Sequence, residues 1–445
     1  MPLSRFPHVR LAGVSAVVPA RAVNLEDELA YYDGNPDKAR RLSAVSGLAT
    51  RRIAPEGVTA SDMCIQAAQG LLGRVRAESA GIGALLFVSH SPDYLLPASA
   101  AIQQAALGLG PDCAAMDMNV GCAGFVQGLW VAGGLIESGA CEKVLLLVGD
   151  TPNRFLDPAN RVTSPVFGDA GTAALLERAA GAGRYSFVET NDAQRGAPPT
   201  PAKDLAAQSL CPRAPDPAIG GRERPECGHM SLPGMSFLLG SDGGKHEALV
   251  IPGGGSRLPH RRDDAPDSPF NRMVTDAGGN PWTLGGYCQI WMDGLAIYSF
   301  GVSVVPGHIR RHLEQAGRSV ADLDALLLHQ ANKVIIEGIV KKTGIAPCKV
   351  PYETLSKYGN LGSSSIPALI CEHYGPGGAG ESAPKRDVLL CGFGAGLTWA
   401  SCLLSLEETT ILPVREYAMP EHVPDRDERI AYWHGKFSGD KGQPE

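Results

Sequence analysis

Cys122, His329 and Asn360 are the residues whose types could do chemistry together, because a thiol, an imidazole and a carboxamide form a set suited to acyl transfer. The stretch "DMNVGCAGFVQGLWVAGG" (117–134) puts Cys122 between small residues, where an apolar strand pattern gives way to an apolar helix pattern. A helix N-terminus stabilises negative charge through its free N–H groups and its dipole, so a thiol there is expected to have a lowered pKa and to be a better nucleophile. Gly121 and Gly124 leave room for a substrate to approach. In "LLLHQANK", His329 ends a buried strand, where α/β sheets place functional groups. In "YGNLGSSSIP", Asn360 lies in a Gly- and Ser-rich turn before a helix. Singly, each residue also fits a quieter role: a packing thiol, a hydrogen-bonded imidazole, a turn asparagine. Together, the thiolate attacks a thioester, and neutral His and Asn side chains donate hydrogen bonds to an enolate oxygen. The loop "GFGAG" (392–396), with Ala395 inside it, can supply a backbone N–H for an oxyanion. As a nucleotide motif it is weak, because a strand pattern follows it.

The elements that must hold these residues alternate between two periodicities. Strand-like runs are "ALLFVSH" (84–90), "CAAMDMNV" (113–120), "KVLLLVGD" (143–150), "TAALLE" (172–177) and "RYSFVET" (184–190). Helix patterns begin at Ser61 and Gly124, the second apolar nearly all round and therefore buried. The second half repeats the theme: "LDALLLHQA", "RDVLLCGFGAG" and "LTWASCLLSL" read as strands. "GVSVVPGHIRRHLEQAG", "NKVIIEGIVKKTG" and "GSSSIPALICEHYG" read as helices, with Pro306 expected to break or kink the first of them early. Alternating strands and helices predict an α/β protein with a parallel or mixed sheet covered on both faces. "IGALLFVSHSP" and "LDALLLHQAN" share one design, a buried strand ending in histidine and a polar loop, which suggests a duplicated unit. The predicted divisions are 1–190 as an N-terminal half with the nucleophile, 191–240 as an irregular Pro/Gly-rich insertion, 241–405 as the remainder with His and Asn, and 406–445 as a charged tail whose aromatics dock on the body.

Composition narrows the class. The chain has 445 residues, a net charge of -7 and 44% hydrophobic residues, which is a globular composition without the basic balance of a nucleic-acid binder. Eleven cysteines, an odd number with no C-x-x-C pair, argue for reduced thiols in a cytoplasmic protein rather than a disulfide scaffold or zinc module. "CGH" (227–229) is the nearest approach to a metal pair and is too small a set; no metal or cofactor is expected. No run approaches the ~20 apolar residues of a membrane span. The N-terminal "VRLAGVSAVVP" weakly imitates a signal peptide, but Gly13 and Ser15 interrupt it and a first β-strand is the better reading.

The motifs "DMNVGCAGF", "VFGDAGTAALLE", "HQAN", "GNLGSSSIP" and "GFGAGLTWAS" occur in that order. With them the chain, from about Val9 to Leu406 apart from the insertion, resembles a β-ketoacyl-acyl-carrier-protein synthase III of the thiolase-fold superfamily. The resemblance implies a five-layer αβαβα fold of two similar halves and a homodimer. It implies a Cys–His–Asn triad at Cys122, His329 and Asn360. It also implies an acyl group loaded on Cys122 from a CoA or carrier-protein thioester, then decarboxylative Claisen condensation with malonyl carrier protein in polyketide or fatty-acid-derived biosynthesis. Phe125 and Phe393 would lie near the acyl pocket, and Leu96 matches a position that reaches the neighbouring subunit's pocket. Arg161 matches a CoA-contacting arginine, and Asn332 matches a tunnel residue or is a helix cap. Two departures stand out: Arg41 and Val45 occupy the places of the family's adenine clamp, and Val334, after Lys333, replaces a carrier-docking arginine. Two further readings are a same-fold acyltransferase forming an ester, amide or thioester, and a silent scaffold subunit. Asn at 360 and the presence of both Cys and His favour condensation.

Overall fold

Why the apolar runs pair as they do is settled by two mixed sheets. The computed structural model describes residues 3–75, 81–157, 160, 162–179, 234–259, 273–275, 281–283 and 288–438. The chain enters through β1 (Ser4–Phe6) and β2 (Val9–Val18), so the N-terminal apolar run is a strand. Further strands of the first half are β5 (Ala84–Val88), β6 (Ala114–Met118), β7 (Lys143–Asp150) and β8 (Ala170–Arg178). Those of the second half are β9 (Met235–Ser241), β14 (Ala325–Leu328), β15 (Val388–Gly394) and β16 (Thr398–Leu404), followed by β17 (Thr410–Ile411) and β18 (Arg415–Glu416). Short two-stranded pairs join β3 (Ala22–Asn24) to β4 (Thr50–Arg52), β10 (Leu249–Val250) to β13 (Trp291–Met292), and β11 (Met273–Thr275) to β12 (Pro281–Thr283).

The larger sheet runs β17–β2–β8–β7–β5–β6, with β18 also on β2, and the smaller runs β1–β9–β16–β15–β14. In the first, β2 is antiparallel to β8, β8 antiparallel to β7, and β7 parallel to β5. In the second, β9 is antiparallel to β16, β16 antiparallel to β15, and β15 parallel to β14. The same pairing pattern occurs twice, as the duplicated strand design leads one to expect.

Helices complete the layers. α2 (Ala60–Val75) and α3 (Ser99–Ala106) pack on the larger sheet, and α5 (Gly294–Gln315) packs on the smaller one with α6 (Lys333–Thr343) beside it. α4 (Gly124–Glu137) and α8 (Ser365–Tyr374) touch strands of both sheets and form the middle layer. That placement explains why α4 is apolar on all sides. Its glycines let it approach both sheets: a Cβ at Gly128 would lie 2.6 Å from Leu146 of β7, and one at Gly133 2.6 Å from Phe6 of β1. α1 (Pro36–Ser46) and α7 (Thr354–Tyr358) flank the site, and α9 (Arg426–Ser438) ends the described chain. The order α–β–α–β–α is the thiolase-like fold.

Three expectations change, and one falls outside the described residues. α5 runs unbroken through Pro306, whose missing N–H is tolerated within a long helix packed on a sheet and on α6. Residues 235–240, predicted irregular, belong to β9, because pairing on both edges with β1 and β16 supplies the order that local sequence lacks. The tail is not wholly separate: β17 and β18 extend the larger sheet beside β2, and Arg429 of α9 donates to the Gly57 carbonyl at 2.9 Å while Trp433 meets Tyr94 edge-on at 6.1 Å. The run "RYSFVET" (184–190) and the rest of the predicted insertion up to residue 233, including "CGH" at 227–229, lie outside the described residues.

Candidate active site

The three chemical residues reach one place through strand ends and turns. Cys122 occupies the turn between β6 and α4, only 8% exposed. Against it lies the end of β15: a Cβ at Gly394 would sit 2.7 Å from both Cβ and Sγ of Cys122, and a Cβ at Gly392 would sit 2.8 Å from its carbonyl oxygen. Glycine is required at 394 for the thiol to be there at all. His329 follows β14, its N–H donating to the Cys391 carbonyl at 2.9 Å and its ring edge-on to Phe393 with centroids 5.5 Å apart. Phe393 in turn meets Phe300 of α5, so the imidazole is wedged in aromatic packing.

Asn360 is clamped through its backbone. It forms an isolated parallel bridge with Phe167, donating to the Val166 carbonyl at 2.9 Å and accepting from Gly168 at 3.0 Å. Its Oδ1 accepts the Gly362 N–H at 3.0 Å, which leaves the amide nitrogen, unpartnered among the described residues, as the donating end. The turn after it meets the start of α4, where a Cβ at Gly124 would lie 3.4 Å from Ser363. The three residues therefore converge where α4 begins, β15 ends and the Asn360–Ser364 turn passes.

Electrostatics correct one expectation. Burial pushes the Cys122 thiol up to about 12, aided by the nearby Asp150 carboxylate and opposed by a backbone hydrogen bond from Ala395. The lowering expected from a helix start is outweighed, because removing a thiolate from water costs more than a helix terminus returns. Burial also drives His329 down to about 3, opposed by a backbone hydrogen bond with Gly362, so the ring stays neutral. Its Nδ1 is buried without a partner among the described residues. The Ala395 carbonyl is taken by the Thr398 hydroxyl at 2.9 Å, which leaves its N–H for the sulfur.

The other candidates separate. Phe125, in the first turn of α4, and Phe393 are buried at the site. Leu96 is 86% exposed beside Leu95 at 91%, on the loop between β5 and α3. Asn332 is a helix cap, its Oδ1 accepting from Ile335 at 2.9 Å at the start of α6. Arg161 lies outside the described residues. Arg41 and Val45 are exposed on α1, whose end packs on α6 near Lys333. Among the described residues, no three His, Cys, Asp or Glu side chains gather as a metal site, and no helix is long and apolar enough to cross a membrane.

Sequence reasoning missed Asp150. At the end of β7, buried, it accepts the His90 N–H at 2.7 Å and the hydroxyls of Ser89 and Ser363, tying the nucleophile's surroundings to the Asn360 turn. A carboxylate ending the buried run "LLLVGD" was the available signal.

Five alternating layers with a buried Cys, His and Asn at the meeting of their halves define a thiolase-fold condensing enzyme. The sequence matches the family described as 3-oxoacyl-[acyl-carrier-protein (ACP)] synthase III over residues 116–193 and its C-terminal domain over residues 313–406. It is 32% identical over 397 residues to the β-ketoacyl-[acyl-carrier-protein] synthase III of Rhodopirellula baltica, covering 89% of this chain and 97% of that one. It is 30% identical over 395 residues to β-ketoacyl-[acyl-carrier-protein] synthase III 3 of Streptomyces coelicolor, covering 89% and 96%. The structure of the 3-oxoacyl-(acyl-carrier protein) synthase from Burkholderia xenovorans matches with a TM-score of 0.73 and 31% identity, covering 93% of this chain and 99% of that one. The priming β-ketosynthase of the R1128 polyketide pathway shares the fold, with a TM-score of 0.65 at 24% identity. The chain belongs to the β-ketoacyl-[acyl-carrier-protein] synthase III family and is an acyltransferase of the condensing type.

Proposed function

We propose that Cys122 takes an acyl group from a CoA or carrier-protein thioester and that the enzyme then condenses it with malonyl carrier protein. In the first half-reaction the sulfur attacks the thioester carbonyl, and the Ala395 N–H, already directed at the sulfur, receives the oxyanion. In the second, the malonyl group loses CO2. Its enolate oxygen lies between the neutral His329 ring and the Asn360 amide nitrogen, and the enolate carbon attacks the acyl–Cys122 carbonyl. The observation that carries this reading is the fixed orientation of Asn360, whose oxygen is committed to Gly362 and whose nitrogen is free to donate. An enolate needs donors, whereas simple acyl transfer to an alcohol or amine needs a base, so the geometry supports carbon–carbon bond formation.

The working unit of this reading is a homodimer. Its support is the open edge of β6, exposed with Met116, together with the projecting Leu95 and Leu96, since an exposed edge strand and an apolar loop call for a symmetric partner. A cytoplasmic setting fits the free state of the buried Cys64, Cys113, Cys122, Cys371, Cys391 and Cys402. Incubation with an acyl thioester should add one acyl mass to the wild type and none to Cys122→Ala, and malonyl carrier protein should then give the β-ketoacyl product. Acylation of a different cysteine would overturn the assignment.

A further inference from the structure

The turn that aims the Asn360 amide is itself held by a buried carboxylate. Asp150, the last residue of β7, is 6% exposed. Its two oxygens divide between two segments. Oδ1 accepts the His90 N–H at 2.7 Å and the Ser89 hydroxyl at 3.3 Å, on the loop after β5. Oδ2 accepts the Ser363 N–H at 3.4 Å and the Ser363 hydroxyl, in the turn after Asn360. Two residues back along β7, the Val148 carbonyl accepts the Ser364 hydroxyl at 2.9 Å. Between these anchors and Asn360 stands Gly362, whose N–H holds Asn360 Oδ1 and whose backbone also meets the His329 ring. Gly362 has φ +57°, and a Cβ there would lie 3.1 Å from Asp150 Oδ2, so glycine lets the turn close against the carboxylate.

The four donors to Asp150 are two backbone N–H groups and two hydroxyls, none of them a cation. A buried anion held this way opposes any further negative charge beside it, and Asp150 does act against ionisation of the Cys122 thiol. A neutral side chain would avoid that opposition. What only a carboxylate offers is acceptance on both oxygens, since an amide would turn its NH2 toward one pair of donors. Given the proposed parts of Cys122 and Asn360, we propose that Asp150 is a positioning residue of the decarboxylation half-reaction: by holding Ser363, with Gly362 closed against it, it fixes the Asn360 amide nitrogen where the enolate oxygen forms. One carboxylate thus serves the second half-reaction and opposes the first.

The test compares wild type, Asp150→Asn and Ser363→Ala, the last of which keeps the charge and removes one bond to it. Intact mass follows acylation of Cys122, labelled CO2 follows decarboxylation of malonyl carrier protein, and iodoacetamide alkylation across pH follows the thiol. Asp150→Asn should lower kcat for CO2 release roughly 10- to 100-fold with KM unchanged, because a misaimed donor is missed in the transition state rather than in binding. Ser363→Ala should act in the same direction by less. Asp150→Asn should also move the alkylation profile to lower pH, whereas Ser363→Ala should leave it in place, a split that general loosening of the site would not produce. Wild-type CO2 release by Asp150→Asn, or equal losses in acylation and CO2 release, would overturn the positioning role. Should Asp150→Asn not fold, wild-type CO2 release by Ser363→Ala would overturn it alone. Failure of the wild type to acylate at Cys122 or to release CO2 would instead overturn the reading on which the proposal rests, and the proposal with it.

Discussion

A thiol pushed up to about 12 and an imidazole pushed down to about 3 do not rest as a thiolate–imidazolium pair, so the proposed mechanism gives Cys122 and His329 separate tasks. His329 and Asn360 should therefore matter more for decarboxylation than for acyl loading. His329→Ala and Asn360→Ala are expected to become acylated on Cys122, but to release CO2 from malonyl carrier protein roughly 100- to 1000-fold more slowly, the usual cost of one lost oxyanion donor. Intact mass reads the first half-reaction and labelled CO2 the second; normal decarboxylation by Asn360→Ala would refute the division. The three residues were legible because each sits in a local signature of strand end, turn and helix start. The acidity of the thiol was not, since it depends on Gly392 and Gly394, some 270 residues away, closing over Cys122. Asp150 was hidden for the same reason: its meaning lies in contacts between elements, not in its own spacing.

Long strands and helices followed from periodicity almost to the residue, as Lys143–Asp150 did, because a run buried on both faces leaves little freedom. Strands such as β9, β17 and β18 owe their order to neighbours and left no signal. Nor could sequence show that α5, β16 and β9 share a buried polar chain. The Ser401 hydroxyl joins His308 Nε2 at 2.8 Å to His312 Nδ1 at 2.6 Å, and His312 Nε2 meets the Ser236 hydroxyl at 3.1 Å. Burial lowers His308 to about 4 and His312 to about 3 from the ordinary 6.5. Both therefore stay neutral in the folded protein while the unfolded chain protonates below 6.5. Their contribution is full above that pH and is lost as pH falls toward 4 and 3, at about 1.4 kcal/mol per pH unit for each. Buried Asp169, raised from 3.8 to about 6, and Asp93, also raised by burial, act in the opposite sense, gaining stability as pH falls, against the two histidines of the chain and the likewise lowered His329. The urea midpoint should fall from pH 6.5 downward, and His308→Gln should flatten that fall. Parallel curves for the two proteins would rule the histidine chain out as the source.

Over the whole molecule the net charge of -7 opposes an acidic carrier protein, so docking has to rely on a local positive surface. α6 supplies two positive points, Lys333 at its start and Lys341 with Lys342 at its end, about 12 Å apart at 1.5 Å per residue. The first is four residues after His329 and packs under the end of α1, close to the exposed Arg41 and Val45. The second is braced by Arg310 of α5, which donates to the Lys342 carbonyl at 2.7 Å. Lys333 has a competing partner in Glu337 at 3.9 Å, an exposed pair too weak to neutralise it. Of the two points, Lys333 is the nearer to His329 along the chain. Lys333→Glu should therefore raise KM for malonyl carrier protein roughly fivefold, the equivalent of about 1 kcal/mol for one exposed pair, with a smaller rise for Lys341→Glu. Both should flatten the salt dependence and leave a small pantetheine thioester unaffected, because only the protein partner feels the surface charge. Val45 stands where an adenine clamp is expected, so malonyl carrier protein should also be strongly preferred to malonyl-CoA. Equal efficiency with the two extenders, or equal effects of the two reversals, would place the carrier elsewhere on the surface.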